Sequence, residues 1–336
     1  MSQKHYFGID HFIGGTPLVR LRHLSDLTGC EILAKAEFMN PGGSVKDRAA
    51  LGMIFEAETA GKLKPGDTII EGTAGNTGIG LTVVGLARGY KMVIVIPETQ
   101  SVEKIQLLRT LGAQVITVPE KPYSDPANYN HQAARLAKEN GWFWANQFDN
   151  TDNRLAHYKT TGPEIWEQTG GEVSAFVASV GTGGTLAGTT LFLKERNPKI
   201  VSVCADPFGA AMWSWFKNGN LETKDGDSCA EGIGQTRVTK NLENVPIDEA
   251  YRIPDQTALT IIHRLLTEEG IFVGLSSGIN IAGAARLARE RGRGQIITTL
   301  LCDSGVRYMS KIFNSEWLKA RGLNPDLPLE TIFDCP

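Results

Sequence analysis

The chain has 336 residues, 41% of them apolar, and a formal net charge of −3. That length supports a large core and favours more than one, while the slightly acidic balance supplies no basic field for nucleic acid or an anionic membrane. No apolar run approaches the roughly 18 residues that span a bilayer, and Met1 to Asp10 is short, mixed and charged, without the apolar stretch of a secretion signal, so a cytoplasmic protein is expected.

Along the chain, strand-like runs alternate with helical ones. Ile32–Ala36 reads as a buried strand, and the turn Asn40-Pro41-Gly42-Gly43 leads into a helix over Val45–Ala60. Strand Thr68–Glu71 precedes a helix over Asn76–Gly89. Strand Lys91–Pro97 precedes Glu103–Gly112, and strand Gln114–Val118 precedes Tyr129–Asn140. A helix over Asn153–Thr169 follows. Strand Ala175–Val180 then leads to Leu186–Asn197, and strand Ile200–Ala205 to the helix Ala258–Glu269. The helix Asn280–Arg291 and the strand Ile296–Cys302 complete the series. Gly61, Gly89, Gly112, Gly141 and Gly270 mark helix ends. Continuous β-branched runs between helices predict an α/β fold with two open, mostly parallel sheets flanked by helices. The least regular stretches are Glu120–Asn128 and Phe208–Gly234, the second long enough to carry function. The join between the halves falls near residues 148–155.

Four glycine- or serine-rich turns recur at strand-to-helix junctions, where open α/β sheets hold ligands. The first carries Lys46, in Ser44-Val45-Lys46-Asp47-Arg48. The second, Glu71-Gly72-Thr73-Ala74-Gly75-Asn76-Thr77-Gly78, offers free amides and side-chain donors to an anion such as a carboxylate. The third, Gly181-Thr182-Gly183-Gly184-Thr185, forms a nest suited to a phosphate. Its spacing fits neither the dinucleotide fingerprint nor a P-loop. The fourth, Gly274-Leu275-Ser276-Ser277-Gly278, matches a hydrolase nucleophile elbow. No histidine follows Ser276, so the hydrolase triad cannot be completed. The five cysteines, at 30, 204, 229, 302 and 335, form no Cys-x-x-Cys pair and predict neither a metal centre nor a disulfide framework. A lysine amine, a phosphate nest, a carboxylate turn and a hydroxyl are the parts that pyridoxal 5′-phosphate requires.

With these motifs the chain resembles the fold-type II pyridoxal-phosphate enzymes, and within them the cysteine synthase and cystathionine β-synthase family. The resemblance runs in order from Ile13-Gly14-Gly15-Thr16-Pro17-Leu18 through the Lys46 run, Gly75–Gly78, Thr160-Thr161-Gly162-Pro163-Glu164-Ile165, Gly181–Thr185 and Glu231-Gly232-Ile233-Gly234 to Gly274–Gly278. It implies that Lys46 binds the cofactor covalently and acts as the base at Cα. It implies that Asn76 meets the ring 3′-oxygen, that Gly181, Thr182, Gly183, Gly184 and Thr185 hold the phosphate, and that Ser276 meets the pyridine nitrogen. Thr73, Ala74, Gly75, Asn76, Thr77 and Gln147 would receive the substrate carboxylate. The implied reaction is β-replacement on an activated serine such as O-acetyl-L-serine, with sulfide or another thiol as acceptor. Cystathionine β-synthase or L-cysteine desulfhydrase activity is the alternative, and a catalytically silent paralogue is disfavoured by Lys46, Asn76 and Ser276. The resemblance further implies a homodimer and two domains: residues 40–150, with Lys46 and the carboxylate loop, and residues 13–39 plus 151–336, with the phosphate loop. The chain departs from the cysteine synthase pattern in three places, one of them the tail, where Tyr308-Met309-Ser310-Lys311 and Ser315-Glu316-Trp317-Leu318 resemble the cystathionine β-synthase core more closely. Ala74 stands where relatives usually carry serine. Arg237 stands where they tend to be apolar, and would pair an anionic substrate side chain or point to solvent.

Overall fold

The structure, a computed structural model, describes residues 8–223 and 225–333; Cys335 lies outside the described residues. Strands β1 (Leu18–Arg20) and β2 (Glu31–Ala36) flank helix α1 (Arg22–Thr28), and α2 (Lys46–Thr59) follows. Then come β3 (Thr68–Gly72), α3 (Asn76–Ala87), β4 (Lys91–Pro97), α4 (Val102–Thr110), β5 (Gln114–Val118), α5 (Tyr129–Asn140) and β6 (Phe143–Trp144). Next are α6 (Asp152–Lys159), α7 (Thr161–Gln168), β7 (Ala175–Ala178), α8 (Gly184–Arg196), β8 (Val201–Pro207) and α9 (Met212–Asn218). The last are β9 (Glu249–Ile253), α10 (Asp255–Arg264), α11 (Leu275–Arg291), β10 (Ile296–Leu301) and α12 (Ser315–Lys319).

The strands form two sheets. One has six strands in the order β1-β2-β10-β7-β8-β9, the other four in the order β5-β4-β3-β6. Only β1 runs antiparallel, against β2. Both sheets are covered on both faces, which explains the uninterrupted apolar runs. Phe176, Leu186 and Leu193 pack on one face of the larger sheet, and Val177, Ile261 and Ile281 on the other. Met53, Ile69 and Ile94 fill one side of the smaller sheet, and Ile70, Val93 and Ala133 the other.

The glycines expected to stop helices do so. Gly61, Gly89, Gly112, Gly141 and Gly270 all have positive φ, between 66° and 96°, the left-handed conformation that releases the chain from a helix with little strain. The expected helix Asn153–Thr169 is instead two helices, broken at Thr160 (φ −128°, ψ −66°). Helix α8 begins at Gly184 and α11 at Leu275, so both glycine- or serine-rich turns supply first-turn residues of the helices they were expected only to precede. Residues 265–269 continue α10 as a π-helical turn, and the irregular stretch after 208 holds α9. Strands β1, β6 and β9 and helices α1 and α12 are additional to the predicted elements.

Helix α2 is tied to the larger sheet by a buried charge network. Arg48 pairs with Glu37 at 2.7 Å and with Glu164 at 2.7 Å, and Lys35 pairs with Glu164 at 2.5 Å. Glu37 is fully buried, and Arg48 together with the Thr16 hydroxyl holds it ionised against the desolvation penalty, with its pKa below the usual carboxylate range. Removing one partner of such a pair strands the other charge. Arg48→Ala is therefore expected to cost about 3–5 kcal/mol, read by chemical denaturation. A loss below about 1 kcal/mol would show that Glu37 does not depend on Arg48 for its charge.

Candidate active site

The four turns open onto one cavity of about 410 Å³ at the carboxyl ends of β3 and β7. Lys46 lines it from the first position of α2. Thr73, Ala74, Asn76 and Thr77 face it from the β3–α3 junction, and Gln147 from the segment after β6. Gly181, Thr182, Gly183 and Thr185 come from the β7–α8 junction, and Ser276 from the first turn of α11. Gly75 and Gly184 do not line it; each is a point of close backbone packing. Gly75 has φ +126° with the Lys104 side chain against it, and a Cβ at Gly184 would collide with the Asn153 side-chain oxygen.

The phosphate nest is shaped by what surrounds it. A Cβ at Gly181 would strike the Gly232 carbonyl oxygen, and Gly183 has φ +83°. These constraints leave the amides at the start of α8 exposed to a ligand, where the helix dipole favours an anion. Two residues of α6 that the sequence reading did not single out hold the nest from behind. Asn153 donates to the Thr182 hydroxyl at 2.8 Å and to the Gln147 carbonyl at 2.8 Å. His157 lies 3.1 Å from the Thr185 hydroxyl through Nε2 and 2.9 Å from the Thr161 hydroxyl through Nδ1. Burial, reinforced by the Arg48 charge, pushes its pKa down to about 3, so it is a neutral hydrogen-bonding post. Their i, i+4 spacing on one helix face is the only signal the sequence carries for them.

Opposite the nest, the carboxylate turn is braced internally. The Thr77 hydroxyl donates to Gln147 Oε1 at 2.5 Å, and Gln147 Nε2 donates to the Gly72 carbonyl at 3.0 Å. Asn76 Nδ2 donates to Asp303 at 2.5 Å, while Arg307 donates to Asn76 Oδ1. Asp303 also accepts from the Tyr308 hydroxyl at 2.6 Å. Asp303 and Arg307 follow β10, more than two hundred residues from Asn76, and no local pattern announces the contact. The Ser276 hydroxyl lies beside the Cys302 thiol, which also accepts from Asn280 at 3.1 Å. Burial pushes the Cys302 pKa up to about 11 even with the Lys46 charge nearby, so this thiol stays protonated at neutral pH. Asp47, next to Lys46, is buried and takes the Gly42 amide at 2.5 Å; desolvation raises its pKa to about 7.

Charged groups at the rim are paired among themselves. Lys104 donates to Glu231 at 2.6 Å and Lys311 also contacts Glu231. Arg237 neither stands free in solvent nor reaches alone into the cavity. It makes a two-pronged pair with Asp149, 3.0 Å on each arm, and stacks over Tyr123 with the guanidinium carbon 4.4 Å from the ring centre. Tyr123 comes from the irregular stretch 120–128, and Glu120, Lys121 and Asn128 of that stretch also line the cavity. Among the described residues, no group of three His, Cys, Asp or Glu side chains is arranged to hold a metal, and no helix is long and apolar enough to cross a membrane.

Comparison with known proteins follows the same geometry. The profile described as pyridoxal-phosphate dependent enzyme matches residues 9–303. The chain belongs to the pyridoxal-phosphate-dependent enzyme family. It is 50% identical over 326 residues to cysteine synthase 1 of Neurospora crassa, covering 96% of this chain and 87% of that one. It is 44% identical over 321 residues to a cysteine synthase of Dictyostelium discoideum, covering 93% and 85%. Among solved structures, O-ureido-L-serine synthase superposes with a TM-score of 0.85 at 37% identity, covering 93% of this chain and 96% of that one. An O-acetylserine-dependent cystathionine β-synthase from Helicobacter pylori gives 0.83 at 35% identity, covering 92% and 99%. The fold is therefore that of the fold-type II enzymes, and pyridoxal phosphate is the family's cofactor. The residues present suit it: an amine, a nest in which side chains are sterically excluded, and a neutral hydroxyl share one cavity.

Because Asn153 bridges Thr182 and the Gln147 carbonyl, Asn153→Ala takes the side-chain donor from the Thr182 hydroxyl and one of two donors from the Gln147 carbonyl, which Asn241 still serves at 3.0 Å. Affinity of the apoprotein for pyridoxal phosphate is expected to fall about tenfold, the equivalent of one to two hydrogen bonds. Fluorescence titration of the apoprotein checks this, and unchanged affinity would assign Asn153 to packing alone.

Proposed function

We propose that this enzyme is a cysteine synthase that replaces the β-substituent of an activated serine, O-acetyl-L-serine or a close analogue, with sulfide to give L-cysteine. The observation that carries the reading is the meeting in one cavity of Lys46, the Thr73–Thr77 turn, the Gly181–Thr185 nest and Ser276. The 50% identity to a cysteine synthase over nearly the whole chain supports the choice of reaction.

Bound pyridoxal phosphate supplies the electron sink for the pair left when the Cα proton is removed. Lys46 Nζ would hold the cofactor by its amine and would serve as the base that takes the Cα proton. Gly181, Thr182, Gly183 and Thr185 would hold the phosphate through main-chain amides and hydroxyls, with Gly184 packed behind them and neutral His157 and Asn153 fixing their positions. Asn76 presents an amide to the ring 3′-oxygen, oriented by Asp303 and Arg307. Ser276 would offer the ring nitrogen a hydroxyl, a neutral donor that does not transfer a proton to it and so suits elimination at Cβ over long-lived charge at Cα. Thr73, Ala74, Asn76, Thr77 and Gln147 would receive the substrate carboxylate, with Gly75 packing the turn against Lys104 rather than facing the cavity. Acetate leaves Cβ, sulfide adds there, and Lys46 returns the proton to Cα.

Ala74 removes one hydroxyl from the carboxylate turn. With its charge matched by Asp149, Arg237 is poorly placed to recruit an anionic side chain, which favours an uncharged leaving group over a phosphate. We further propose that the two sheets act as two domains, 40–150 and 13–39 plus 151–336, that close on substrate, and that the protein works as a homodimer in the cytoplasm, without nucleic-acid or membrane partners.

Lys46→Ala is expected to lose the yellow colour of the holoenzyme and more than about a thousandfold in turnover, since covalent attachment and proton transfer fall on one amine. The assay is a panel of O-acetylserine, O-phosphoserine, serine and cysteine as donors with sulfide or homocysteine as acceptor. O-acetylserine with sulfide should give the highest kcat/KM. A faster reaction of serine with homocysteine would replace this reading by cystathionine β-synthase activity, and fast sulfide release from cysteine would replace it by desulfhydrase activity.

A further inference from the structure

Glu71 is the last residue of β3 but one, immediately ahead of the turn that we assign to the substrate carboxylate. It is fully buried. A glutamate in such a place normally has a cationic partner, and this one has none. The backbone amides of Gly72, Asn146 and Gln147 and the Gln147 side chain lie near its oxygens, but none makes an aligned hydrogen bond to either. Its neighbours are fixed. Gly72 is pressed against the start of α5, where an added Cβ would stand 2.7 Å from the Tyr129 carbonyl oxygen. Gln147 is bolted to Thr77 and to the Gly72 carbonyl. Asn146 takes positive φ, 51°, a conformation that costs a residue with a side chain some strain.

The groups facing Glu71 are of one kind. Across the ladder on β4 stands Ile94. From α3 comes the unionisable Thr77. The titratable side chain that interacts with it is Tyr129 of α5, whose phenol is pushed up to about 12 chiefly by burial, with Glu71 adding to the shift; Glu120 and Arg237 act on the far side of Tyr129. Nothing in this shell neutralises an anion at Glu71.

We propose that Glu71 is a positioning residue for the substrate carboxylate: as the neutral acid it fills the space behind the Thr73–Thr77 turn and the Asn146–Gln147 segment without adding charge, and when ionised it sets a buried like charge behind the bound carboxylate and weakens binding. This rests on the assignment of the Thr73–Thr77 turn to the substrate carboxylate. Burial raises the Glu71 pKa to about 8, which places the transition just above neutrality. The sign for stability follows. The folded state holds this proton more tightly than the unfolded chain, whose glutamate has the ordinary value of 4.5, so the stability it contributes at low pH falls away as pH rises towards and through 8.

The test uses the holoenzyme and propionate, a carboxylate with no amine of its own to titrate. Isothermal titration should show the wild-type Kd for propionate rising about tenfold between pH 7 and pH 9, one pKa unit of linkage. Glu71→Gln keeps the shape and cannot ionise, so its Kd should stay within about twofold of its pH 7 value across that range. Its melting temperature should also fall less steeply with pH than that of the wild type, a readout independent of binding. A Glu71→Gln protein that kept the tenfold rise in Kd, or the wild-type decline in melting temperature, would overturn the role of Glu71. Thr77→Val separates the underlying assignment. It should weaken propionate several-fold at pH 7, and if it bound propionate as the wild type does, the carboxylate site itself would be misplaced.

Discussion

Helix α2 belongs to both halves of the molecule, and the geometry of the cavity depends on that double attachment. Val45, just before its first turn, packs with Phe176 and Leu186 on the larger sheet. Four residues later Ala49 begins the run through Met53 and Ile54 that fills the smaller sheet's core. Between these contacts Arg48 is locked by Glu37 and Glu164. Lys46 thus sits on the shortest covalent path between two cores, with its backbone held from both directions. A lysine on an ordinary loop would need its position restored for each encounter. Here the fold supplies it, at the cost of burying four charges whose mutual pairing must be nearly complete.

The electrostatics of the cavity divide into a floor and a rim. At the floor the donors are amides, hydroxyls, a neutral imidazole and a carboxamide, with Lys46 as the working charge. Neutral donors fixed in place solvate an anion without reorganising when it arrives. Around the floor, Lys104 and Lys311 share the single carboxylate of Glu231, which leaves one positive charge in excess, while Arg237 is matched by Asp149. The Arg237–Asp149 pair leans on the rings of Tyr123 and Phe148, so part of the entrance is an aromatic and ionic wall rather than an open cationic funnel.

Much of this was legible because the chemistry is carried by backbone. Gly181–Thr185 and Gly72–Gly78 can be read from composition and position alone, since a nest needs glycines and a strand-to-helix junction. The parallel sheets were legible from uninterrupted runs such as Lys91–Pro97. What escaped notice depends on contacts between distant segments. Asp303 and Arg307 orient Asn76 across the whole chain, and neither lies in a recognisable pattern. Arg237 was given two possible fates and took a third, because Asp149 reaches it only after the fold is complete. The two-residue β6 was also hidden, being too short to show a period, whereas the break at Thr160 was marked by Gly162 and Pro163 in the next turn, where proline cannot donate back to Lys159.

The strand order holds one more consequence. Strand β2, which feeds the Lys46 turn, lies between β1 and β10, so its parallel neighbour is the last strand of the chain. The smaller sheet is drawn from one continuous stretch, 68–144, and has all its strands early in synthesis. The larger sheet must keep β1 and β2 waiting while nearly the whole polypeptide emerges, a long loop to close before its reward is collected. During translation the half that grips the far end of α2 can be in place well before the half that fixes Lys46. Lys46 is among the first residues made and among the last to be set in position.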